Sequence, residues 1–207
     1  MYCWLTAPAV RSLAMSDSAP TDPTAPDRWT TEQYLHLVDE GVLGPDDKVE
    51  LLEGVIVAMA PSNAPHAAGV ARATRALVRA VGDRAVVRVQ LPVIAGLYSM
   101  PEPDAAVVPG AIQDYDHEHP TTALLVVEVS DTSLKQDRLT KRAIYAAGGI
   151  PEYWIVNPQN ETITVLQLRG DVYEEAGCYR RGELAHSVLR PEFSIAVGAV
   201  FDAAGSK

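Results

Sequence analysis

The stretch from Ala123 to Pro158 sets the tightest limit on what this chain can fold into. Ala123 to Val129 is apolar almost throughout, the composition of a strand covered on both faces. A helical pattern follows from Ser133 to Ala147, closed by Gly148 and Gly149, and Glu152 to Val156 is a second strand pattern ending at Asn157-Pro158. A strand, a helix and a strand in that order place the two strands side by side and parallel, joined by a right-handed crossover. A layered α/β architecture is the consequence.

One residue breaks the first strand's pattern. Glu128 stands between Val127 and Val129, and a glutamate is almost never fully buried unless a cation or hydrogen-bond partner compensates it. An arginine ion pair and a bound metal ion are the two candidate compensations. A second acid bears on the choice: Asp104, in Met100-Pro101-Glu102-Pro103-Asp104, stands at the mouth of a short strand running to Val108. Alone, it reads as a turn residue after proline. Delivered by neighbouring strands, however, Asp104 and Glu128 converge on one point, and a hard divalent cation such as Mg²⁺ is held by one or two carboxylates together with waters and phosphate oxygens. A third acid, Glu53, lies in the Leu52-Glu53-Gly54 turn between strand patterns Val49 to Leu52 and Val55 to Met59. There it is an exposed hairpin residue or a further ligand.

The remaining patterns fit a mixed sheet flanked by helices. Thr30 to Glu40 predicts a helix, with Thr30 as N-cap, Gln33 completing a capping box and Gly41 as the stop. His66 to Val81 has helical spacing, Arg84 to Ile94 alternates as a strand broken by Pro92, and Thr162 to Phe201 alternates strands and turns like a meander. With 207 residues, 47% hydrophobic and 21% charged, the chain can build one well-buried core, expected over residues 29–203. Residues 1–28 read as a tail, because SDSAPTDPTAPDR buries too little apolar surface to order itself, and Met15 is an alternative start. Cys3 and Cys178 are far apart and suggest neither a disulfide nor a metal site, which fits a reducing cytoplasm. No apolar stretch reaches the roughly 18 residues needed to cross a bilayer.

A formal net charge of −10 argues against a protein that coats nucleic acid without specificity. A basic stretch nevertheless runs from His66 to Gln90, where Arg72, Arg75 and Arg79 share one face of the expected helix. The simplest reading of that face is solvation. His117 and His119, two apart in the loop of residues 109–120, read as solvent-exposed rather than as metal ligands.

Several motifs then stand in a recognisable order: VELLEGVIV, APSNAPH with His66, PEPDAAVV with Asp104, VVEVSDTS with Glu128, DRLTKRAIYAAGGIPEYWIVNP, and the closing meander. Over roughly Trp29 to Phe201 the chain resembles the widespread bacterial restriction-endonuclease-like family, formerly a domain of unknown function, of the PD-(D/E)XK nuclease superfamily. The resemblance implies a restriction-endonuclease-like core, with a mixed central β-sheet flanked by helices and a C-terminal β meander. It implies that Asp104 and Glu128 ligate Mg²⁺ or Mn²⁺, with Glu53 reached through water, in hydrolysis of the phosphodiester bonds of nucleic acid, DNA above all. The superfamily's lysine two residues after the acid is absent, since Ser130 stands there. The position matching the family's relocated lysine is Lys141, with Tyr145 one turn on and Lys135 as a less favoured substitute; an exposed pairing of Lys141 with Asp137 is the alternative. His66 would contact phosphate or assist proton transfer, and Arg72, Arg75 and Arg79 would touch the nucleic-acid backbone. A homodimer is expected by analogy. The competing reading is a nuclease-fold dimer without catalysis, acting as a binding or regulatory module.

Overall fold

The computed structural model describes residues 28–129 and 135–201. Apart from Arg28, the expected tail lies outside the described residues, as do Ser130 and the side chains of Lys135 and Asp137.

The chain enters through helix α1 (Thr31–Asp39), whose Thr30 cap and Gln33 side chain satisfy each other's backbone N–H groups as the capping box requires. Strands β1 (Val49–Leu52) and β2 (Val55–Ala58) form an antiparallel hairpin. Its two turn residues, Glu53 and Gly54, have φ of 51° and 84°, as a twisted two-residue hairpin turn demands. Helix α2 (Ala64–Val81) begins two residues before the expected His66, because the Asn63 side chain accepts the His66 N–H and Pro65 occupies the first turn.

The central sheet follows. Strands β3 (Val86–Arg88), β4 (Ala105–Val108), β5 (Leu125–Val129), β6 (Glu152–Asn157), β7 (Thr162–Arg169) and β8 (Val172–Arg180) lie side by side in chain order. Only β5 and β6 pair in parallel, joined by helix α3 (Lys135–Ala147) as the strand, helix, strand pattern required; the other neighbours are antiparallel. The strand expected over 84–94 is shorter than its alternation suggested, because Gln90 turns to φ 48° and Pro92 cannot donate to a ladder. A meander does follow β6. It ends in a small separate sheet of β9 (Leu184–His186) and β10 (Ser194–Ala196) and a short helix, α4 (Val197–Phe201).

Both faces of the sheet are covered, which accounts for the continuous apolar run in β5. Val107, Val127, Trp154 and Val165 pack beneath α2, β10 and α4, while Ala106, Val126, Tyr153 and Leu166 pack beneath Tyr145 and Ile150 of the α3 layer. α2 approaches the end of β5 closely: a Cβ on Gly69 would lie 2.9 Å from Val129 Cγ1. One buried acid belongs to the scaffold. Glu152, fully buried at the start of β6, accepts hydrogen bonds from Trp154 Nε1 (3.1 Å), Ser187 Oγ (2.7 Å) and the Leu189 N–H (2.8 Å), tying the 187–189 segment to the sheet.

Candidate functional site

Ala105 faces Val127 and Ala106 faces Val126 across β4 and β5, so the next pair outward brings Asp104 opposite Glu128. The even-numbered positions of β5 face α3, and the pleat therefore aims both carboxylates to that side. The convergence expected of these two acids is thus a matter of strand register.

Asp104 is buried. Its Oδ2 accepts the Val129 N–H at 2.8 Å and its Oδ1 lies 3.1 Å from His66 Nε2, which the first turn of α2 brings over the sheet end. Glu128 is held by helix α3. Its Oε1 accepts a 2.7 Å hydrogen bond from the Tyr145 hydroxyl and lies 3.7 Å from Lys141 Nζ. Lys141 and Tyr145 are one turn apart, so a single helix face presents both. Compensation for Glu128 within the protein therefore comes from a lysine and a tyrosine, not from an arginine.

Lys141 points into the site with its side chain only 13% exposed, rather than outward along the helix. Among the described residues its nearest carboxylate is Glu50, at 3.1 Å, and it donates to the Glu102 carbonyl at 3.4 Å. Glu50 Oε2 also accepts the Glu102 N–H at 3.0 Å. Glu50 was missed in the sequence reading, although it carries the same sign as Glu128, an acid set among apolar residues in Val49-Glu50-Leu51-Leu52. Glu53 takes no such place: it lies exposed on the hairpin turn, using its backbone to accept from Arg28 Nε and donate to Ser99 Oγ. Tyr145, expected one turn after Lys141, is fully buried and spends its hydroxyl on Glu128.

Among the described residues, the carboxylates of Asp104, Glu128 and Glu50 against the Lys141 ammonium make the site acidic. Burial pushes the Glu128 carboxyl up to about 7; the Lys141 ammonium and the Tyr145 hydrogen bond oppose the rise, and the charges of Asp104 and Glu50 add to it. Burial and the adjacent Glu128 push the Tyr145 hydroxyl well above its ordinary range, so it remains a donor. Glu102 is also raised, by burial and then by Glu50. A divalent cation would neutralise this excess, and an all-oxygen donor set suits Mg²⁺ or Mn²⁺. Among the described residues no three His, Cys, Asp or Glu side chains form a ready-made metal cage, which is compatible with a cation that keeps several waters.

The expected arginine face is divided. Arg72 Nε donates to the Val200 carbonyl at 2.8 Å and clamps α4 to α2, whereas Arg75 and Arg79 are exposed. In the 109–120 loop His117 is exposed, but His119 is half-buried with Nδ1 3.4 Å from an Arg88 nitrogen. Asn157 serves a turn, its side-chain oxygen accepting the N–H groups of Gln159 and Asn160.

Residues 31–198 match the family model Uma2, described as "Putative restriction endonuclease". Among solved structures, the crystal structure of "a putative nuclease belonging to DUF820" from Anabaena variabilis aligns with a TM-score of 0.66, covering 83% of this chain and 97% of that one at 16% identity. That likeness establishes a shared fold. No curated protein matches the chain.

Proposed function

This chain belongs to the Uma2 family of "Putative restriction endonuclease" proteins, and from that premise we propose that it is a Mg²⁺- or Mn²⁺-dependent endonuclease acting on DNA through a single domain over residues 29–203. The observation that carries the reading is Asp104 opposite Glu128 at the sheet end, with the Lys141 ammonium beside them.

Asp104 and Glu128 would hold the cation, which when bound supplies a water of lowered pKa and a Lewis acid for the scissile phosphate. Lys141 stabilises the negative charge that develops on the phosphate oxygens as a water oxygen attacks phosphorus and the bond to the leaving sugar oxygen breaks. Tyr145 fixes the Glu128 carboxylate, so the ligand is oriented before metal arrives. His66 orients Asp104 through Oδ1 and would contact phosphate or assist proton transfer. Arg75 and Arg79 face solvent on α2 and suit backbone contacts that position a duplex without reading its sequence. Glu53, exposed on its turn, has no part beyond a water-mediated one. We expect a homodimer, which light scattering on the purified protein tests. Among the described residues no helix is long and apolar enough to cross a membrane.

The deciding assay presents plasmid, linear and single-stranded DNA to the purified protein in Mn²⁺, Mg²⁺ and EDTA, beside Asp104→Ala and Lys141→Ala. Metal-dependent cutting that disappears in both variants is the expected result. A folded wild type that binds Mn²⁺ and cuts none of these substrates overturns it. A second reading, a nuclease-fold binding module, is favoured by one observation: Tyr145 and Lys141 give Glu128 partners from within the protein.

A further inference from the structure

The Lys141 ammonium stands between two carboxylates, and the nearer is not the one the proposed cation would use. Nζ lies 3.1 Å from Glu50 Oε2 and 3.7 Å from Glu128 Oε1. The same Glu50 oxygen accepts the Glu102 N–H, which pins the carboxylate to the Pro101-Glu102-Pro103 segment leading into Asp104. Proline on each side of Glu102 stiffens that anchor. The hairpin carrying Glu50 is tied to the same segment a second time, through the Met100 N–H donating to the Leu51 carbonyl at 2.8 Å. Glu50 is only 5% exposed. An acid so buried destabilises a fold unless a cation or hydrogen-bond donors compensate it, and Lys141 is a cation within reach.

We propose that Glu50 is the positioning residue for Lys141, and that it, rather than Glu128, holds the ammonium once a divalent cation occupies Asp104 and Glu128. This rests on the metal-dependent reading given above. With a cation held by Asp104 and Glu128, the Glu128 carboxylate would be shared with that charge and would no longer partner the Lys141 ammonium. Glu50, anchored to Glu102, keeps its charge for Lys141. The ammonium then stays beside the site instead of swinging to solvent, preorganised for charge that develops on phosphate.

The test compares wild type, Glu50→Gln, Glu50→Asp and Glu128→Gln by amine labelling of Lys141, read by peptide mass spectrometry, and by calorimetric titration with Mn²⁺. Without metal, labelling in Glu50→Gln should rise about tenfold, the population change expected from losing one charge-assisted hydrogen bond. It should rise less in Glu128→Gln, and Glu50→Asp should restore part of the protection. The Mn²⁺ Kd of Glu50→Gln should stay within about threefold of wild type, while Glu128→Gln weakens it by about tenfold or more. Unchanged labelling in Glu50→Gln, or a larger rise in Glu128→Gln, overturns the proposal. So does a loss of Mn²⁺ affinity in Glu50→Gln equal to that in Glu128→Gln, which would make Glu50 a ligand. Where Glu50→Gln does not fold, Glu50→Asp carries the comparison, and labelling there no faster than in wild type overturns it. A wild type that takes up no Mn²⁺ sinks the metal-dependent reading, and the labelling series still decides whether Glu50 places Lys141.

Discussion

Burial gives the Glu128 carboxyl a proton affinity in the folded protein that it lacks in the unfolded chain, and that difference makes stability depend on pH. Its ordinary value is 4.5 and its folded value about 7. Below 4.5 the proton is bound in both states; between the two values the folded protein keeps it while the unfolded chain loses it; above 7 neither holds it. Stability of the metal-free protein therefore falls as pH rises through that window, by on the order of 3 kcal/mol for this group. Glu128→Gln, which mimics the neutral carboxyl, should flatten the fall in Tm between pH 5 and pH 7 in EDTA; an unchanged slope would assign it to other groups. Two acids of the site were legible in the sequence because each interrupts an apolar run or follows a proline that fixes its approach. Glu50 was hidden by its neighbour. A Glu-Gly pair at a turn draws attention to Glu53, yet a residue at a positive-φ hairpin tip points away from the sheet, and only the docking of the hairpin onto the 100–102 segment shows that Glu50 faces inward.

Elements carried more of their own information. The capping box of α1 and the glycines after α3 were readable because a helix end must satisfy its backbone locally. The parallel pairing of β5 and β6 followed from the crossover alone. Strand β3 was over-read, since alternation continues in sequence past Gln90 although the backbone turns there. On α2, spacing put three arginines on one face but could not reveal that α4 would fold back and claim Arg72. The helix therefore predicts two phenotypes. Arg75→Ala and Arg79→Ala should each weaken DNA binding evenly across sequences and lower the salt slope by about one, as loss of a phosphate contact does. Arg72→Ala should instead cost about 1 kcal/mol in denaturant unfolding, from the lost hydrogen bond to Val200.

At the scale of the whole molecule the sheet separates the candidate site from the scaffold. Glu128 lies opposite Ile155, whereas Glu152 starts the same strand three residues earlier, about 10 Å back, and serves the layer beneath α2. Glu152→Ala would strand the donors Ser187, Leu189 and Trp154. It should destabilise the protein by about 3 kcal/mol or more in chemical denaturation, while Mn²⁺ affinity at low temperature stays at the wild-type value; a fall in affinity would show that the two ends of the sheet are coupled. Gly69 joins the layers in a different way. At the point where α2 crosses the end of β5, a Cβ would come within 2.9 Å of a buried Val129 methyl, so the gap across which His66 reaches Asp104 is set by a side chain with no heavy atoms. An alanine there would act as a shim, lifting the helix and detuning the candidate site without altering any of its own residues.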